Sequence, residues 1–115
     1  MFTKLRTVVY KTTDLQAAKA WYKDITGIEP YFDQPFYVGF DINGHELGLD
    51  PDMRNTGNGN QAIAYWAVES VAAALEKLQR SGATIIQPCT NVGGTIEVGI
   101  VADPFGNQFG VIEGA

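Results

Sequence analysis

The feature that most restricts this chain is a duplication: a strand-then-helix signature occurs twice, in the same order and with the same punctuation. In the first copy, the run from Thr7 to Leu15 reads as a β-rich segment entering a helix. Thr13 is the expected N-cap and Gln16 completes a capping box. Leu15, Ala18, Tyr22 and Ile25 recur at helical spacing, and Gly27 closes the helix. The second copy runs from Ile63 to Val71, with Ser70 as N-cap, Val71, Ala74, Leu75 and Leu78 as the apolar stripe, and Gly82 as the stop. Three β-rich segments follow each helix, at about 28–33, 36–42 and 45–50, then at about 83–90, 95–102 and 108–113.

The pattern is therefore βαβββ, twice. It predicts an α+β fold of two tandem modules, about 1–52 and 61–115, joined by a linker with Asn and Gly at 57–60. The chain has 115 residues, 45% of them hydrophobic, which is enough for one globular domain with a core. A net charge of -5 with no basic run offers nothing to neutralise a phosphate backbone, so nucleic acid and anionic membranes are not expected partners. The apolar runs are too short to span a bilayer, and the start Met1-Phe2-Thr3-Lys4-Leu5-Arg6 lacks the features of a secretory signal, so a cytoplasmic protein is expected. Cys89 is the only cysteine, which leaves no internal disulfide or zinc site; it is expected to be a passive, semi-buried thiol.

Side-chain alternation assigns the faces of the strands. A two-residue turn at Asn43-Gly44 sets Ile42 opposite His45 and Asp41 opposite Glu46. Val38, Phe40, Ile42, Leu47 and Leu49 then share one face and are expected to meet the helix stripe, joined by Val8, Tyr10, Trp66, Val68, Ile96, Val98, Ile100, Phe109 and Val111. Thr7, Val9, Lys11, Tyr37, Gly39, Asp41, Glu46, Gly48, Asp50, Ile63, Tyr65, Thr95, Glu97, Gly99, Gln108 and Gly110 fall on the other face. That face is polar, aromatic and rich in glycine, and strand glycines often mark the close approach of a ligand. Lone His45 lies beside the hairpin turn and is expected to be structural.

The two βαβββ modules, the segment from Asp14-Leu15 through Ala20-Trp21-Tyr22 to Thr26-Gly27, and the turn Asp103-Pro104-Phe105-Gly106-Asn107 together resemble the vicinal oxygen chelate superfamily. That group includes glyoxalases, bleomycin resistance proteins and extradiol dioxygenases. The resemblance implies a curved mixed sheet with the helices on its convex side, a binding cleft on its concave side, and a homodimer. It also implies a metal held by His or Gln near the start of each module's first strand and by Glu in each module's last strand. The matching positions here are Thr7, Gly48, Ile63 and Gly110, which lack the required donors. A slip of two residues preserves parity and brings Glu46 and Gln108 to the carboxylate positions, but puts Val9 or Tyr65 at the histidine positions, so no complete set appears.

The expectation is accordingly a binder of a small organic molecule, aromatic or cationic, in the manner of bleomycin resistance proteins, with no metal, no cofactor and no catalytic residue. Lys11, Tyr37, Gly39, Glu46, Gly48, Tyr65, Glu97 and Gln108 are the candidate ligand-binding residues. The alternative is a lyase, isomerase or dioxygenase-type enzyme with Glu46 or Glu97 as general base or with an atypical metal site. A third reading is a dimeric partner-binding module.

Overall fold

A computed structural model describes Met1, residues 3–53 and residues 62–114. The chain divides into two compact units, Met1–Asn58 and Gly59–Ala115. The expected Asn/Gly linker at 57–60 lies outside the described residues.

The first unit runs β1 (Thr7–Lys11), α1 (Leu15–Thr26), β2 (Phe32–Gln34), β3 (Tyr37–Ile42) and β4 (His45–Asp50), with strand order β1-β4-β3-β2. The second runs β5 (Tyr65–Ala67), α2 (Val71–Arg80), β6 (Thr84–Gly93), β7 (Ile96–Ala102) and β8 (Gln108–Glu113), with order β5-β8-β7-β6. Both place a parallel pair first and two antiparallel pairs after it, so the duplication read from the sequence is a duplication of topology. Thr12 N–H donates to the Asp50 carbonyl, just as Val68 N–H donates to that of Ile112, so the parallel pair ends in the same way in each unit.

Helix starts and stops follow local chemistry, with one correction. The N-cap of α1 is Asp14, not Thr13: its carboxylate accepts from Ala17 N–H at 3.1 Å, whereas the Thr13 capping box would start the helix a residue early. Gly27 ends α1 with φ 70°, the left-handed conformation that glycine adopts without steric cost. Ser70 caps α2, accepting from Ala73 N–H at 3.2 Å. The β3–β4 hairpin has the anticipated register, with Ile42 opposite His45 and Asp41 opposite Glu46, and Asn43 and Gly44 take φ values of 52° and 90°.

In the first unit α1 packs on β3 and β4, and Leu15, Ala18, Tyr22, Val38, Phe40, Leu47 and Leu49 are buried. In the second, α2 packs on β6, β7 and β8 over Val71, Leu75, Leu78, Val101, Phe109 and Val111. Ile25, Trp66 and Ile100, which the periodicity assigns to the core, are only half-buried. Ile25 is in the last turn of its helix and Trp66 is on an edge strand, where neighbours cover one side.

Ile100 reflects a larger correction. The register pairs Glu97 with Glu113, Gly99 with Val111 and Val101 with Phe109. A Cβ on Gly99 would meet the Leu75 side chain of α2, and Glu113 accepts from Val71 N–H at the start of that helix at 2.7 Å. Glu97, Gly99 and Val101 therefore face α2, while Val98 and Ile100 face away from it, the reverse of the sequence assignment. The run Val98-Gly99-Ile100-Val101-Ala102 is apolar on both parities, so alternation had nothing to read there. Among the described residues, no helix is long and apolar enough to cross a membrane.

Candidate functional site

On the first unit's sheet, the face away from α1 is built by register. The parallel β1–β4 pair sets Thr7 beside Glu46, and the antiparallel β3–β4 pair sets Asp41 opposite Glu46 and Gly39 opposite Gly48. Tyr37, at the first position of β3, has the same parity as Gly39 and Asp41 and so shares that face.

Glu46 is the centre of this face. Its Oε1 accepts from Thr7 Oγ1 at 2.6 Å and from the Tyr37 hydroxyl at 2.9 Å, and its Oε2 accepts from the Tyr31 hydroxyl. The hydrogen bonds from Thr7 and Tyr31 dominate in holding its carboxyl below the ordinary value of 4.5, with Tyr37 and the charge of Arg6 assisting. The tyrosines respond in the opposite sense. Tyr31 is raised above the usual phenol value by its hydrogen bond to Glu46, and Tyr37 is raised mainly by desolvation, with the Glu46 contact adding. The carboxylate stays ionised and the hydroxyls stay protonated, which fixes acceptor and donors in one arrangement.

The glycines beneath make that arrangement possible. A Cβ on Gly48 would collide with the Tyr37 hydroxyl, and one on Gly39 would fall 3.0 Å from Glu46 Oε2 and 3.1 Å from Tyr31 Cε1. The room that the sequence reading ascribed to a ligand is thus partly taken by the chain's own phenol rings. Around them lie exposed aromatics: Phe32 packs against Phe36 and Tyr37 with ring centroids 6.0 and 6.1 Å apart. Tyr31 is 63% exposed and Phe36 62%. Beside Glu46 is a hollow of about 180 Å³ lined by Lys4, Arg6, Tyr31, Asp41, Gly44 and Glu46.

The candidate residues separate into three groups. Tyr37, Gly39, Glu46 and Gly48 come together in the first unit. Lys11 shares their face, beside Asp50 at the far end of β1. In the second unit, Tyr65 and Gln108 share the face away from α2 with Gly110, whose Cβ position is filled by the Tyr65 ring. Glu97 is on the opposite, helix-facing side, 3.6 Å from Cys89 Sγ. Cys89 itself is exposed rather than semi-buried, on β6, the edge strand of its sheet. Its thiol is pushed up by desolvation of the sulfur and by the charge of Glu97, which favours the protonated form over the thiolate.

Sequence reading missed Tyr31, Arg6 and Lys4. The β-rich pattern predicts a strand from about 28, whereas β2 begins at Phe32 and Tyr31 reaches over Gly39 from the bend before it. The available signal was aromatic clustering, Tyr31, Phe32 and Phe36 standing around a polar hairpin too short to bury them.

A metal of the kind the fold family implies does not fit these residues. Thr7 spends its hydroxyl on Glu46, Ile63 and the two glycines offer no donor, and among the described residues no group of three or more His, Cys, Asp or Glu could hold an ion. Glu46 is also a poor general base, since its proton affinity is lowered rather than raised toward neutrality.

The family model for the Glyoxalase/Bleomycin resistance protein/Dioxygenase superfamily matches residues 4–111. No curated protein matches the chain. Among solved structures, a glyoxalase-related enzyme from Fulvimarina pelagi superimposes with a TM-score of 0.78 at 20% identity, over 98% of this chain and 89% of that one. A glyoxalase/bleomycin resistance protein/dioxygenase family enzyme from Burkholderia phytofirmans PsJN gives 0.80 at 18%, over 96% and 98%. Lactoylglutathione lyase from Agrobacterium tumefaciens gives 0.72 at 20%, over 97% and 94%. At these identities the likeness carries the fold alone.

Proposed function

This chain belongs to the Glyoxalase/Bleomycin resistance protein/Dioxygenase superfamily, and on that premise we propose that it binds a small aromatic organic molecule without a metal, on the sheet face that carries Glu46. The observation supporting this is the arrangement of Glu46. An ionised carboxylate, fixed by hydroxyls from Thr7, Tyr31 and Tyr37, stands on a glycine floor at the edge of exposed aromatic rings. Such a surface offers flat apolar area together with one strong acceptor, which is what orients a planar ligand.

The expected charge preference is narrower than the sequence suggested. Glu97 leaves the face, and Lys4 and Arg6 join it, so the hollow beside Glu46 is lined by two basic and two acidic side chains. This supports neutral or cationic aromatics over anions less strongly than a purely acidic face would. The enzymatic alternative has weaker support, because Glu46 is depressed in basicity and Glu97 faces the helix side. The reading carries with it a cytoplasmic homodimer, which light scattering would check.

The test is a fragment titration followed by backbone amide NMR on chelator-treated protein. Aromatic fragments are expected to move the signals of Gly39, Glu46 and Gly48, with no change when zinc, nickel or manganese is restored. A metal requirement, or shifts confined elsewhere, would replace this reading with another.

A further inference from the structure

We infer that Tyr31 holds the place of the ligand's own donor, and that the molecule bound on this face is a neutral aromatic carrying a hydrogen-bond donor, such as a phenol, which displaces the Tyr31 hydroxyl from Glu46. The inference rests on the binding role proposed above and specifies its chemistry.

Three observations meet at Tyr31. Its ring lies over Gly39, against a backbone strip that only glycine leaves bare. Its hydroxyl donates to Glu46 Oε2, while Thr7 and Tyr37 both use Oε1. The ring is also 63% exposed, and although the Tyr31 N–H donates to the Gly39 carbonyl at 3.0 Å, turning the side chain about its own bonds leaves that backbone pairing intact. Tyr37, by contrast, is half-buried, starts β3 and is confined over Gly48. One phenol is therefore built into the wall and the other can leave, opening a planar slot with an acceptor at its end. The hollow continues that slot past Glu46.

Charge selects the class. Lys4 and Arg6 line the hollow together with Glu46 and Asp41, so a cation there meets repulsion as well as attraction, whereas a neutral donor meets no charge opposition. The carboxylate needs a donor to replace the one removed, because an ionised acceptor left without partners is costly. A phenol supplies a donor in the geometry that Tyr31 already demonstrates.

The experiment titrates p-cresol, 4-methylanisole, 4-methylbenzylammonium and 4-methylbenzoate into the wild-type chain and into Tyr31→Ala and Glu46→Gln variants, by calorimetry and amide NMR. Amide spectra confirm that each variant remains folded. p-Cresol is expected to bind Tyr31→Ala about tenfold more tightly than wild type, the scale of one hydrogen bond to a charged acceptor. 4-Methylanisole, which lacks the donor, should gain nothing, and Glu46→Gln should bind p-cresol less well than wild type. Weaker p-cresol binding to Tyr31→Ala would make Tyr31 a fixed wall and overturn the inference. Equal gains for cresol and anisole, or a preference for the ammonium compound, would also overturn it while leaving an aromatic-binding face intact. If none of the four probes moves the Gly39 and Gly48 signals in any form of the protein, both this inference and the wider binding role fall.

Discussion

The hydroxyl of Tyr37 lies over Gly48, in the space where any other residue would carry its Cβ. The cross-strand neighbour thus decides where the phenol sits, and the phenol in turn positions Glu46. Gly48→Ala should drive Tyr37 off the carboxylate and destabilise the fold by about 1–3 kcal/mol, as overpacking does. The matching change in the second unit, Gly110→Ala, meets the inner atoms of the Tyr65 ring, down to Cγ, so the whole ring must leave its place. Its cost should be at least as large as that of Gly48→Ala. Urea denaturation of the two variants side by side gives the comparison, and a Gly110→Ala variant as stable as wild type would contradict it.

Leu75 of α2 is 4% exposed and fills the space above Gly99. Leu75→Ala should lower stability by about 2–5 kcal/mol, since the cavity adds to the lost transfer free energy. An unchanged denaturation midpoint would mean that α2 does not sit on β7 as described.

The titration of Glu46 has a definite sign. Its folded pKa is below the ordinary 4.5, so its contribution to stability is fully present above the unfolded value and is lost as pH falls through the folded value. In Glu46→Gln that increment is absent. The stability difference between wild type and Glu46→Gln should therefore shrink as pH is lowered from about 6 to about 3. A difference that grows toward acid would show that the carboxyl is raised instead.

Glu113 reaches from β8 to cap α2, accepting from Val71 N–H at 2.7 Å. A carboxylate at a helix N-terminus satisfies an otherwise unpaired donor and opposes the helix dipole. Glu113→Ala should cost about 1 kcal/mol, seen as a lowered thermal midpoint, whereas Glu113→Gln, which keeps the acceptor, should recover part of it.

Cys89 should react slowly for an exposed thiol, because desolvation of its sulfur and the charge of Glu97 keep it protonated. Replacing Glu97 with Gln removes the charge and should accelerate alkylation by iodoacetamide at about pH 8. Identical rates would place the two side chains out of reach of each other.

By itself, the sequence determined the duplicated βαβββ topology, the helix boundaries to within a residue, the Asn43-Gly44 hairpin register and the family. Each of these rests on local chemistry: capping side chains, helical periodicity, and turn residues that adopt positive φ. It also placed Tyr37, Gly39, Glu46 and Gly48 on one face, because the first unit's strands alternate cleanly between apolar and polar residues. Tertiary structure decided the rest. The facing of Glu97 and Gly99 was illegible because both faces of β7 carry apolar residues, so only pairing with β8 and the position of Leu75 fix which side meets the helix. The role of Tyr31 was illegible for a different reason. It lies just before β2, tied to β3 by its N–H on the Gly39 carbonyl, and Glu46 is brought beneath it by the antiparallel pairing of β3 with β4, a proximity that neighbours along the chain cannot encode.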